Sequence, residues 1–109
     1  MPTSDAPDNG LQIIAQIDRT VHAPARMMIL ALLNAVESVD FIFLMNQTGL
    51  TRGNLSSHLN KLEEDAYIRI RKEFADKIPR TLISLTEEGR SAIETYRENM
   101  RQVIEDLLK

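Results

Sequence analysis

The side chains in this sequence with the clearest chemical purpose are hydrogen-bond donors and acceptors. Thr51, Arg52, Asn54, Ser56, Ser57, Asn60 and Lys61 crowd into one stretch, and no acid occurs from Thr51 to Leu62. Leu55, Leu59, Leu62 and Ala66 run through the same stretch at intervals of four, three and four residues. At about 100° per residue this spacing makes an apolar helical stripe. Gly53, Asn54, Ser57 and Lys61 then come out on the opposite face, with Asn60 on its flank. Arginine matches the edge of guanine and asparagine that of adenine, so this face has the chemistry to read base pairs in a major groove. A polar helix face that is merely solvated, in a helix pair that binds nothing, is the alternative.

A reading face needs elements that hold it. Asp40 is placed to cap a preceding helix whose apolar side is Phe41, Leu44 and Met45. Gly49 falls just past the last periodic residue, where a left-handed helix end costs glycine least. Thr51 offers its hydroxyl to the next helix. The pattern is a helix-turn-helix.

Upstream, residues 1–10 (MPTSDAPDNG) have nothing to bury and are expected to be a flexible tail. A first helix is expected over residues 11–22, with Leu11, Ile14, Ile17 and Val21 on one side. Pro24 suits the first position of a second helix over residues 24–36. The middle of that helix, MMILALL, is apolar on nearly every side, which predicts the buried central helix. His22 reads as a surface or capping residue and His58 as a hydrogen-bonding residue at the core edge.

Downstream the period changes. Residues 67–71 alternate apolar with basic, residues 80–85 are β-prone with Ile83 and Leu85 on one face, and residues 72–79 supply the turn. This predicts a β-hairpin with Lys72, Lys77 and Arg80 at or near its tip, placed to meet phosphate or the minor groove. Thr86, Glu87 and Glu88 open a last helix that runs toward Lys109. Along it Ile93, Tyr96, Met100, Val103 and Leu107 form a heptad-like seam, widened by Ile104. That seam has no evident use inside one domain, so it is expected to form a homodimer interface flanked by Leu11, Ile14 and Ile17.

Composition bounds the function. The 109 residues carry a net charge of −3 and no cysteine, which removes disulfides, thiolate metal sites and cysteine nucleophiles. The charge is uneven: residues 1–50 sum to −3, residues 51–85 to +2 and residues 86–109 to −2. Only the segment around the reading face is positive, as a polyanion partner requires. No phosphate-cradling glycine loop, nucleophile–base pair or metal cluster is legible, so neither enzyme activity nor any cofactor or metal is expected. No run is apolar enough to span a bilayer and no signal peptide opens the chain, so a cytoplasmic protein without a membrane partner is expected.

The stretch from Thr51 to Glu63, with Ser56-Ser57-His58-Leu59 and Leu62 inside it, resembles the recognition helix of MarR and ArsR regulators. Asp76-Lys77 through Arg80, and then Leu85-Thr86-Glu87-Glu88-Gly89-Arg90, resembles the wing of MarR and PadR regulators and its exit into the next helix. The resemblance spans residues 24–100. It implies a mostly α fold with a small β-hairpin wing, a winged helix-turn-helix in the order α-α-α-α-β-β-α. Residues 11–85 would be the DNA-binding domain and residues 86–109 the dimerisation helix. It further implies a sequence-specific regulator that binds double-stranded DNA as a homodimer on an inverted-repeat operator. A winged helix used for protein–protein contact is the alternative. MarR proteins are usually longer, with extra helices that build a ligand pocket, so the resemblance names no small-molecule effector. ArsR metal sensing needs a ligand cluster that is absent here.

Overall fold

The computed structural model describes residues 10–109; the expected tail lies, except for Gly10, outside the described residues. In chain order the elements are α1 (Gln12–Ala15), α2 (Pro24–Asn34), β1 (Val39–Asp40), α3 (Phe41–Thr48), α4 (Arg52–Glu64), β2 (Ile68–Ala75), β3 (Ile78–Leu85) and α5 (Glu87–Gln102). A wider helical turn, Val103–Leu107, ends the chain. This is the winged helix-turn-helix that the sequence predicts, with one addition. The two-residue β1 joins the hairpin as a third antiparallel strand, in the order β1-β3-β2.

The helix pair forms for the local reasons read from the sequence. Asp40 Oδ1 accepts from Phe43 N at 2.8 Å and starts α3. Gly49 ends it with φ of 74°, a left-handed conformation that costs glycine nothing. Thr51 Oγ1 accepts from Asn54 N at 3.2 Å and starts α4. Leu55, Leu59 and Leu62 of α4 are buried against Ile29, Leu33, Leu44 and Ile83. Each such side chain contributes about 1.5–3 kcal/mol when fully buried.

Ala66 departs from the expected stripe. The helix stops before it, and Ala66 turns left-handed at φ 66° and faces solvent. Tyr67 N donates to Leu62 O and Ala66 N to Glu63 O, both at 2.9 Å, the two bonds of a Schellman end.

The expected first helix is cut to one turn. Asp18 Oδ1 accepts from Thr20 N at 2.8 Å and from Val21 N at 3.1 Å, which bends the chain where the periodicity would have continued. The bend is tied down by Tyr67, whose hydroxyl donates to Asp18 Oδ2, and by Thr20, whose hydroxyl donates to Asp65. The Asp18 hydrogen bond, then burial, then the charges of Asp18 and Asp65 push the Tyr67 hydroxyl up to about 12.

α2 is likewise less enclosed than its composition suggests. Ile29, Leu30 and Leu33 are buried, but Met27, Met28 and Ala31 face solvent. The other helices of one short chain cover a single side of it.

The hairpin turn is tighter than expected. The strands run on through Ala75 and resume at Ile78, leaving Asp76 and Lys77 at φ 53° and 69°. Two successive left-handed residues give the turn whose twist matches the strands. Pro79 is accommodated because β1 pairs only with Ile83 and Leu82, so the outer edge of β3 needs no donor there. Thr86 Oγ1 accepts from Gly89 N at 3.0 Å and starts α5 with Glu87 and Glu88 in its first turn.

Candidate nucleic-acid interface

The start of α4 and the wing face each other across an open groove of about 590 Å³. Arg52, Ser56 and Asn60 line it from the helix, and Lys72, Ile78, Pro79, Arg80 and Thr81 from the hairpin. Asp40, Phe41 and Ile42 close its end. Residues distant in sequence thus form one surface, because α4 packs on β2 and the hairpin extends past its own buried base.

Arg52 is held in place. Its guanidinium carbon lies 5.3 Å from the centroid of the Phe41 ring, a stacking worth about 0.5–1 kcal/mol at an exposed site. Phe41 was legible only as part of the α3 apolar side. Its role as a rest for Arg52, like the groove positions of Ile78 and Thr81, depends on how α3 and the wing fold back. An aromatic at the first helical position beside a cap is the only signal that pointed to it.

The cations divide into two sets. Among the described residues, Arg52, Lys72, Lys77 and Arg80 form no ion pair, whereas Lys61 lies 3.7 Å from Glu64 and 3.8 Å from Asp65. Arg71 pairs with Glu73 at 3.2 Å. Arg52, Lys72 and Arg80 line the groove, and Lys77 stands at the hairpin tip. Asn54 and Ser57 are exposed on α4 outside the groove lining, and Thr51 spends an acceptor on the cap. The groove thus brings together Arg52, Ser56, Asn60, Lys72 and Arg80 of the sequence-derived set but not Thr51, Asn54, Ser57, Lys61 or Lys77, and Lys61 lies beside Glu64 and Asp65. Exposed pairs of this length contribute little, so an approaching phosphate can displace them.

His58 sits at the core edge, where its Nδ1 accepts from Arg26 Nη1 at 3.2 Å. Arg26 also donates through Nε to Thr20 O at 2.6 Å, which ties the N-terminal bend to the back of α4. His22 is exposed, with Nδ1 2.7 Å from the Tyr96 hydroxyl.

The expected dimer seam is partly used at home. Tyr96 and Val103 are buried within the single chain, and Ile17, Ile93 and Met100 pack half-buried against the core. That corrects the expectation that this area has no use inside one domain: α5 lies across the core and needs these side chains to cover it. Leu11, Ile14 and Ile104 are 54, 46 and 57% exposed. The half-buried Leu107 lies beside Gly10, where a carbon added at Gly10 would meet Leu107 Cδ2 at 3.3 Å. Gly10 and the Val103–Leu107 turn therefore lie together.

Comparison with known proteins agrees with this fold. An uncharacterised protein of Methanocaldococcus jannaschii is 39% identical over 71 residues, which span 65% of this chain and 77% of that protein. The structure of a transcriptional regulator homologue from Pyrococcus horikoshii OT3 superposes with a TM-score of 0.81 at 27% identity, over 92% of this chain and 98% of that one. The transcriptional repressor CouR, solved with a 23-mer DNA duplex, shares the fold with a TM-score of 0.70 at 22% identity, over 92% of this chain and 68% of that one. Residues 25–104 match the winged helix DNA-binding domain family, and the chain belongs to that family.

Proposed function

We propose that the protein is a transcriptional regulator that binds double-stranded DNA sequence-specifically, as a homodimer on an inverted-repeat operator. One observation carries the reading: the groove gathers Arg52, Ser56 and Asn60 with Lys72 and Arg80 and leaves these cations without acidic partners. In this reading Arg52, Asn54, Ser57 and Asn60 meet base edges, while Thr51, Ser56 and Lys61 support them. Lys72, Lys77 and Arg80 hold phosphate. The family is one of DNA-binding domains, not of enzymes, and the DNA-bound CouR structure supports placing a duplex on this fold. A second copy would cover Leu11, Ile14 and Ile104, with Ile17, Ile93, Tyr96, Met100, Val103 and Leu107 beneath them as the packed layer. Two recognition helices about 34 Å apart would then meet successive turns of one DNA face. No helix among the described residues is long and apolar enough to cross a membrane; in this reading the protein works in the cytoplasm, beside the DNA it binds.

Selection from random duplexes at fixed salt tests the reading. Wild type should enrich an inverted repeat, and Arg52→Ala and Asn54→Ala should relax it, each good base contact giving about 1–3 kcal/mol of discrimination. Unchanged preference in both variants would refute the assignment of α4. Enrichment of nothing would refute DNA reading altogether.

A further inference from the structure

The wing carries an apolar tip that its fold does not use. At its base Ile68, Leu82 and Ile83 are buried, but further out Phe74 is 75% and Ile78 64% exposed. Phe74 stands opposite Pro79 in the ladder, and Ala75 opposite Ile78. The tight turn beyond them is made by Asp76 and Lys77 and needs no apolar neighbour. An exposed phenylalanine on a hairpin gains nothing from burial in its own chain.

Two occupants would use such a tip: another protein or the interior of a nucleic acid. A phenylalanine buries about 150–250 Å², and a standard protein interface takes about 800 Å² from each partner. Ile78 and Pro79 do not make up that difference. Around the tip cations outnumber acids, which are Asp76 on the turn and Glu73, itself paired with Arg71. Lys72 and Arg80 lie on the two strands and Lys77 on the turn, none in an ion pair among the described residues. Ile78, Pro79, Lys72 and Arg80 also line the groove that contains Arg52 and Asn60 of α4. With α4 in a major groove, the tip is carried to the neighbouring minor groove. There, apolar side chains can enter between base steps and kink a duplex by roughly 20–90°.

We propose that Phe74, with Pro79 beside it on the same face of the hairpin, is a wedge that the wing presses against a base step in the minor groove, so that the protein bends the DNA it binds. The inference rests on the DNA-binding reading and deepens it. It adds a second source of specificity, since pyrimidine–purine steps kink most easily and would be favoured under the wing without a hydrogen bond to them.

The test is end-to-end energy transfer across duplexes that carry the sequence selected by wild type, with dyes at both ends. Bound wild type should shorten the end-to-end distance. Phe74→Ser removes the wedge from a solvent-exposed site. It should leave melting unchanged, bind about tenfold more weakly and leave the duplex straighter, as unstacking and its added contacts are both lost. Phe74→Leu should retain most of the bend. The preference set by α4 should persist in both variants, while preference for a flexible step under the wing should vanish in Phe74→Ser. A duplex that stays straight under tightly bound wild type overturns the wedge and leaves DNA binding standing, as does a Phe74→Ser variant that bends like wild type. Failure of wild type to bind any duplex overturns both.

Discussion

Gly89 is the position where one added carbon has the most calculable effect. A Cβ there would lie 2.1 Å from Tyr67 O, 2.8 Å from Leu85 Cδ1 and 3.0 Å from Tyr67 C. The first contact is about 1.3 Å inside ordinary van der Waals distance, and its partner is backbone that cannot swing aside. The same carbonyl accepts from Thr86 N at 3.0 Å, so displacing it also opens the junction between β3 and α5. Overpacking costs about 1–3 kcal/mol, and the strained hydrogen bond adds about 1 kcal/mol. Alanine returns about 0.5–1 kcal/mol of helix preference. The net expectation for Gly89→Ala is a loss of about 1–3.5 kcal/mol, or a melting temperature lower by about 4 °C or more in a chain of this size. Gly53→Ala supplies the control. Gly53 is also helical, but nothing lies within 4 Å of its added carbon. There only the helix preference acts, a gain of about 0.5–1 kcal/mol. Urea titrations of both variants against wild type measure the pair. Equal stabilities, or a Gly89→Ala protein within about 2 °C of wild type, would refute the close approach of α5 to Tyr67.

Lys77→Gly relieves a left-handed residue at φ 69° while it removes a tip charge, so the wing stays formed. Its DNA affinity should still fall for all sequences and the magnitude of its salt slope drop by roughly 1 in filter or anisotropy titrations; an unchanged slope places Lys77 off the DNA. Tyr67 has a folded pKa raised from 10.0 to about 12, so its hydrogen bond stabilises fully below pH 10 and is lost as pH rises toward 12. Wild type should therefore exceed Tyr67→Phe in melting temperature near neutrality, and the gap should close over that window; a constant gap would separate the effect from Tyr67 ionisation. Ile104→Glu places a charge on the most exposed residue of the expected dimer set without touching the buried Tyr96 and Val103. Sedimentation should show a folded monomer where wild type is a dimer, because an unpaired buried charge costs several kcal/mol; an unaltered dimer moves the interface elsewhere.

How much of this was legible in the sequence depends on whether the deciding interaction was local. The caps at Asp40, Thr51 and Thr86 and the left-handed Gly49 each involve residues within one turn, and all were readable. So was the stripe Leu55, Leu59 and Leu62. The errors came where a distant group decided. Residues 11–22 have helical periodicity, but Asp18 turns the chain and is tied to Tyr67, across the molecule. Met27 and Met28 have core chemistry, yet both face solvent, with the Tyr96 hydroxyl donating to Met27 Sδ at 3.6 Å. Residues 72–79 look like a loop because charges and a proline interrupt them, but the mirror-image turn at Asp76 and Lys77 keeps both strands in register. For the site, sequence named the cations but not the groove. Phe41, Ile78 and Thr81 enter it only after α3 and the wing converge on α4.

The charge distribution explains how an acidic chain can take a polyanion. On α5, Arg101 lies 2.6 Å from Glu98 and 2.8 Å from Glu105, and Arg97 lies 3.6 Å from Glu94. These cations are spent on their own helix, where the bond to Arg101 also holds the Glu98 carboxyl below its usual range. None of the residues that line the groove comes from α5. The molecule is 65 Å along its longest axis, while exposed charges are screened beyond about 8 Å at physiological salt. A phosphate at the groove therefore meets Arg52, Lys72 and Arg80 against Asp40 at the groove's end, and is shielded from acids more than a Debye length away. The net −3 acts against association only at low ionic strength, where the screening length approaches the size of the protein. Sequence arrangement, by keeping acids out of α4 until Glu63, decides the partner that total charge would have argued against.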